Sequence, residues 1–346
     1  MNKVVVGGII VVVIIAVAIF FFYSPSQPIE EPREEGVMTG LEIAEMSLNY
    51  IDSLRNPNGS YTYTSNCVPS ECPFPPDLSF GTSHAWVNYA YLGLYQASND
   101  NSYFNKAKNE IGLLHNVCKD DAITCAWILP QVNDYYKITN DQTTLNLITT
   151  TGEELLLENP SEDIMSLGIE IRELAILYDL TKNDKYLTES VNRLNQAENL
   201  FLSIGEILYS FNNIKFYSGS CFVELGRLEL YKSTDDSKYL EDVITFIDNF
   251  NIGNYMKELR FQQNMQSCTE VLLQLNELTG DVKYKTQAAK AMQYVITNLW
   301  DSSISKKYYG NEAFLIGTNG VNTITDTAYA IFSLTKLSNQ KFEVGT

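Results

Sequence analysis

The sequence predicts an all-α domain built as a closed ring of six helical hairpins, and three observations carry that prediction. The first is a recurring phrase. LAILYDLTKNDKYL from Leu174 takes an apolar helix end through a polar turn into the next helix, and similar phrases begin at Tyr91, Leu225 and Leu272. Weaker copies begin at Val132 and Ile331. Measured between the turn hydroxyls Ser98, Thr139, Thr181, Thr234, Thr279 and Ser338, the intervals are 41, 42, 53, 45 and 59 residues. Repeats of this length mark stacked supersecondary units. The second observation is that the helices on either side of the turn differ. Residues 84–96 and 326–337, which precede turns, are apolar almost all round and so are buried on every side. Residues 101–115, 184–196 and 281–298, which follow turns, have one apolar stripe and one charged face. The third is a consequence of the second: an open row of hairpins leaves its end helices facing water unless they are capped, whereas a ring has no ends.

Taken in order, the chain opens with Val4 to Tyr23, twenty residues without a charge. That is about the length needed to cross ~30 Å of hydrocarbon as a helix. Lys3 precedes it, and Glu30, Glu31, Glu34 and Glu35 follow with only Arg33 among them. The positive-inside bias puts the N-terminus in the cytoplasm and the body outside. The expected organisation is a transmembrane anchor over 1–23, a Pro/Glu-rich tether over 24–38 and an extracytoplasmic ring domain over 39–346. Pro25, Pro28 and Pro32 keep the tether extended.

Within the ring, inner helices are expected at about 84–97, 121–138, 163–180, 219–233, 266–278 and 325–337. Outer helices are expected at about 39–54, 101–116, 142–157, 184–202, 237–249 and 282–299. Each set numbers six, and the first outer helix should close against the last inner one. Pro130 should kink the second inner helix. Three outer-to-inner connections carry elaborations. These are the long 56–83 segment, a strand–turn–strand from Ile207 around Asn212-Asn213, and another from Lys306 to Gly317 around Gly310-Asn311.

Composition narrows the partners. The chain has 346 residues with 42 acidic against 24 basic, a net charge of −18, which repels phosphate backbones and argues against nucleic acid. All six cysteines lie beyond the apolar segment. Six allow fifteen pairings. The local reading joins Cys67 to Cys72, Cys118 to Cys125 and Cys221 to Cys268, in keeping with an oxidising exterior. No paired CxxC with nearby histidines points to a metal, and no motif calls for a cofactor.

Six inner and six outer helices joined by LYxLTxDxKYL turns resemble the (α/α)6-toroid proteins of the six-hairpin glycosidase-like superfamily. NLWDSSISKKYYGNEAF followed by TDTAYAIFSL is similar to their closing hairpin. The resemblance covers residues 39–342. It implies a carbohydrate-active protein, with glycoside hydrolases, glucuronyl hydrolases, sugar epimerases and polysaccharide lyases among the relatives, and a cleft where the inner helices begin. Helix N-termini present free N–H groups and positive potential, which suits that place.

The expected starts of the inner helices carry the candidate chemistry: His84, Asp121, Asp163, Ser220, Gln266 and Asp326. Asp121 and Asp163 both stand 18 residues before their turn hydroxyls. Equivalent positions on adjacent helices lie roughly 8–10 Å apart, a separation that suits inverting hydrolysis by an acid and a base. Asp is also a preferred N-cap, so either residue can be there to start its helix. KDDAITCAW at 119–127 is similar to the acidic pair of certain mannan hydrolases, and DIMSLGIEI at 163–171 to a stretch of unsaturated glucuronyl hydrolases; neither holds the expected register. Asp326 and His84 complete the catalytic candidates. Trp86, Trp127, Tyr63 and Tyr308 are candidate sugar platforms, and Arg172 is a candidate contact for an anionic sugar. Each of these also fits the core. Glu224 with Arg227, one turn on, reads as a structural pair. A glycan-binding or protein-binding module without turnover is the alternative reading.

Overall fold

The computed structural model describes residues 36–56, 61, 78–117, 129–204, 220–249, 262–299, 317–318, 321–322 and 324–344. Met38–Thr346 forms one compact unit. Twelve helices fall among the described residues. The inner ones are α2 (Leu78–Ser98), α4 (Leu129–Thr139), α6 (Ile164–Thr181), α8 (Ser220–Thr234), α10 (Gln262–Thr279) and α12 (Ile324–Lys336). The outer ones are α1 (Gly40–Ser53), α3 (Asn101–Val117), α5 (Gln142–Leu155), α7 (Asp184–Ile204), α9 (Ser237–Asn249) and α11 (Val282–Leu299).

The inner helices close a circle. Each packs on the next in the order α2, α4, α6, α8, α10, α12, and α12 returns to α2. The outer helices lie against them, and α1 closes on α12. All six inner helices therefore run the same way, with their C-terminal turns at one end of the ring and their N-termini at the other.

The recurring phrase is explained by the turn it encodes. The residue after the turn hydroxyl adopts a left-handed conformation in five copies: Asn99, Asn140, Lys182, Asp235 and Gly280. Its N–H returns to a carbonyl in the last helical turn, as Lys182 does to Tyr178 at 2.7 Å. The hydroxyl donates to the carbonyl four residues back, as in Thr181 to Leu177 at 2.7 Å. It also accepts the N–H two residues on, as from Asn183 at 3.3 Å. The Asp or Asn at that position then takes an N–H of the outer helix, as Asp236 does from Lys238 at 3.0 Å. The tyrosine three residues further on plugs the groove below, and Tyr186 and Tyr284 are almost fully buried.

Two glycines let α6 and α8 touch backbone to backbone. A Cβ on Gly168 would lie 2.5 Å from the Phe222 carbonyl carbon, and one on Gly226 would lie 2.7 Å from Cγ2 of Ile171. Cys221 of α8 and Cys268 of α10 form a disulfide, as the local reading expects. The other two expected pairs lie outside the described residues.

Several expectations need adjustment. The inner helix containing His84 begins at Leu78, so His84 stands in its second turn and not at its start. It follows Pro75-Pro76-Asp77, a start signal that the apolar run from His84 onward hides. Likewise α10 begins at Gln262, ahead of Gln266. Pro130 is the second described residue of α4, and the residues before Leu129, on which the expected kink depends, lie outside the described residues. The strand pair seen near the end of the chain is β2 (Gly317–Thr318) with β3 (Val321–Asn322), antiparallel. It flanks Asn319-Gly320, a hairpin signal, and follows the stretch around Gly310-Asn311 expected to turn. That stretch, the Ile207 insert and the apolar segment over 4–23 lie outside the described residues. Among the described residues no helix is long and apolar enough to cross a membrane. A second small sheet pairs β1 (Val37–Thr39) with β4 (Lys341–Glu343), joining the first and last described segments.

Candidate functional site

The inner helices meet around a charged group in the middle of the barrel. Tyr89, Arg172, Glu270 and Tyr329 each stand nine residues before a turn hydroxyl, and Asp134 and Glu229 stand five before theirs. Four residues is about one helical turn, so the two sets lie at adjacent levels on the same faces. Each of the six inner helices contributes one member.

Glu270 is the acceptor at the centre. Arg172 donates to it at 2.7 Å, Gln274 at 3.0 Å and Tyr89 at 3.3 Å, and Tyr329 donates to its other oxygen. Arg172 also faces Glu229 at 3.9 Å. Lys232 ties Glu229 (2.9 Å) to Gln274 (2.8 Å). Burial pushes the Glu229 carboxyl up, but Lys232 and Arg172 outweigh it and hold the group below its usual range. Burial, then Glu270, keeps the phenols of Tyr89 and Tyr329 protonated as donors. Charges this deep persist only when paired and hydrogen-bonded. Trp86 lies against Tyr329, with ring centroids 4.3 Å apart, and Tyr89 stacks on Phe332 at 3.7 Å.

Around this centre other buried charges are matched locally. Arg193 of α7 is fully buried. It binds Glu170 at 2.6 Å, Glu189 at 3.0 Å and the carbonyls of Leu155 (2.9 Å) and Glu158 (3.2 Å). Arg227 pairs with Glu224, as the one-turn spacing suggests, and reaches Glu198 at 2.9 Å. Burial lifts Glu224 to about 7 against the pull of Arg227.

His84 belongs to a separate buried network. Its Nδ1 meets Glu110 of α3, which also binds Arg55 and the Tyr61 hydroxyl (3.1 Å). Burial, helped by Arg55, lowers His84 to about 4, so the ring is neutral at neutral pH and donates Nδ1–H to the carboxylate.

The sequence candidates thus separate. Asp163 is exposed at the N-cap of α6, where it accepts the Ser166 N–H at 2.9 Å. Asp326 stands in the first turn of α12, with its side chain outside the description. Asp121, Trp127, Tyr63 and Tyr308 lie outside the described residues. Trp86 and Arg172 are buried in the barrel, and Arg172 is already neutralised by carboxylates there. Sequence reasoning passed over Glu110 and Arg193 as site-forming residues. Apart from Glu189, one turn from Arg193, their side-chain partners lie 23 to 55 residues away on other segments, a pairing that no spacing in a single sequence reveals. Among the described residues no three or more His, Cys, Asp or Glu converge to hold a metal ion.

No family model and no curated protein matches the chain. Solved structures do. The Lin0763 protein from Listeria innocua aligns at TM-score 0.63 and 14% identity over 86% of this chain and 97% of its own. The GH76A α-1,6-mannanase from Salegentibacter sp. HEL1_6 aligns at TM-score 0.58 and 12% identity over 86% and 98%. An unsaturated glucuronyl hydrolase specific for heparin aligns at TM-score 0.57 and 13% identity over 86% and 95%. The chain shares its (α/α)6-toroid fold with these structures.

Proposed function

We propose that this chain is a single-span, extracytoplasmic carbohydrate-active protein that hydrolyses glycosidic bonds with paired carboxylates at the N-terminal rim of the inner helices. Residues 4–23 serve as the anchor and 24–38 as the tether. The observation that carries the reading is how the carboxylates divide. Glu170, Glu224, Glu229 and Glu270, within the inner helices, are bound by arginines, a lysine or tyrosines. Asp163 instead stands exposed at the rim. Asp121 occupies the equivalent repeat position, and Asp326 opens the last inner helix. At a separation of about 6.5–9.5 Å one such acid protonates the leaving oxygen while the other activates water. Similarity to α-mannanases and glucuronyl hydrolases supports a glycan substrate. A non-catalytic glycan-binding or protein-binding role is the second reading. It is favoured by one fact: Asp163 already caps its own helix.

The test is product analysis. Full-length protein in detergent is incubated with neutral and uronic-acid oligosaccharides, α-1,6-linked mannans included. New reducing ends without ultraviolet absorbance support hydrolysis. Reducing ends with absorbance indicate a lyase, and bound glycan without any product indicates the binding module.

A further inference from the structure

Next to Arg172 stands a carboxyl group that the barrel network does not use. Glu173 is fully buried, and neither carboxyl oxygen has a hydrogen-bond partner among the described residues. An ionised carboxylate in that position would need a cation. The cations on α6 and on the helices packed against it are committed elsewhere. Arg172 binds Glu270 and faces Glu229. Arg193 of α7 binds Glu170 and Glu189, and Lys185 binds Glu153 of α5. On α8, Arg227 binds Glu224 and Glu198, and Lys232 binds Glu229. Lys137 of α4 is exposed. Asp134 of α4, Glu229 of α8 and Glu270 of α10 lie in the same barrel interior, and of these Glu229 adds to the upward push on Glu173.

We propose that Glu173 is a proton-binding site inside the barrel, occupied at neutral pH, and that the ring loses stability as this proton is withdrawn. Burial pushes the Glu173 carboxyl well above its ordinary range; Arg172 opposes the shift and Glu229 adds to it. The sign follows from linkage. In the unfolded chain the group ionises near 4.5. Above that pH the folded state binds one more proton than the unfolded state. Each further pH unit then raises the unfolding constant about tenfold, until the buried acid itself ionises. Below about 4.5 both states hold the proton and the term is flat. The inference concerns the barrel and does not depend on the glycan reading.

Two measurements on the full chain in detergent test it. The infrared spectrum of Glu224→Gln at neutral pH, with the half-protonated Glu224 removed, should still show the carbonyl stretch of a protonated carboxylic acid, and adding Glu173→Gln should remove it. Denaturant unfolding followed by tryptophan emission should show the ratio of the wild-type to the Glu173→Gln unfolding constant rising with pH above about 4.5, by up to about tenfold per unit. Absence of the band in Glu224→Gln, its persistence once Glu173→Gln is added, or a constant ratio would overturn the proposal. If Glu173→Gln does not fold, the band in Glu224→Gln decides alone.

Discussion

The two buried polar networks differ in origin and in their response to protons. The barrel centre is drawn from repeat positions, one residue from each inner helix, and ties the ring together around Glu270. The Glu110 network draws on the end of α1, an isolated bridge at Tyr61, α2 and α3, and ties the first elements to each other. Glu173, beside the first, costs the ring stability as pH rises above about 4.5, whereas His84, within the second, costs it stability as pH falls below about 6.5. A ring with both should be most stable between the two limits. Repetition supplies the shared centre, and residues outside the repeat supply the local pins.

The sharpest way to break this contrast is Glu270→Ala. It leaves Arg172 with only the 3.9 Å contact to Glu229 and strands two tyrosine hydroxyls. Losing one partner of a buried pair costs about 3–5 kcal/mol, read as a drop in denaturation midpoint. Next is the acid limb. His84 titrates near 6.5 when unfolded and at about 4 when folded, so its own contribution to stability is complete above 6.5 and is lost as pH falls towards 4. The loss reaches about 3 kcal/mol. The ratio of the wild-type to the His84→Asn unfolding constant should carry this slope across that window, because the opposing Glu173 contribution cancels in the ratio. Replacing Cys221 and Cys268 by serine should cost about 2–4 kcal/mol without changing the acid or alkaline slopes. Equal slopes with a lowered plateau would show that the disulfide acts apart from both networks. The smallest effect is at the rim: Asp163→Ala removes an N-cap and should cost about 1 kcal/mol.

Much of the architecture is written in the repeat. The LTxDxKY turn works because a hydroxyl, a left-handed residue and an Asx cap must fall at fixed offsets, so it survives as a readable phrase. The alternation of all-apolar and striped helices follows from the ring, and the twelve helices fall close to their expected ranges. Helix starts were less legible where polar residues precede the apolar run, as with the turns before His84 and Gln266. The chemistry was hardest to read. Arg172 and Trp86 carry the residue types of a sugar site, yet their axial positions put them in the core. Glu110 and Arg193 look like ordinary outer-face charges until their helices are packed. Asp163 was legible both as a cap and as a carboxylate at the rim, because the same position serves both.

That double role gives the most direct test of the hydrolase reading. Asn caps a helix about as well as Asp but cannot ionise. Turnover and denaturation midpoint should be measured together for Asp163→Asn on whichever glycan the wild type cleaves. The account predicts an almost unchanged midpoint and a loss of turnover of a hundredfold or more, on the order of general acid–base catalysis. Full turnover in a folded Asp163→Asn protein would contradict it and leave Asp163 as a cap alone.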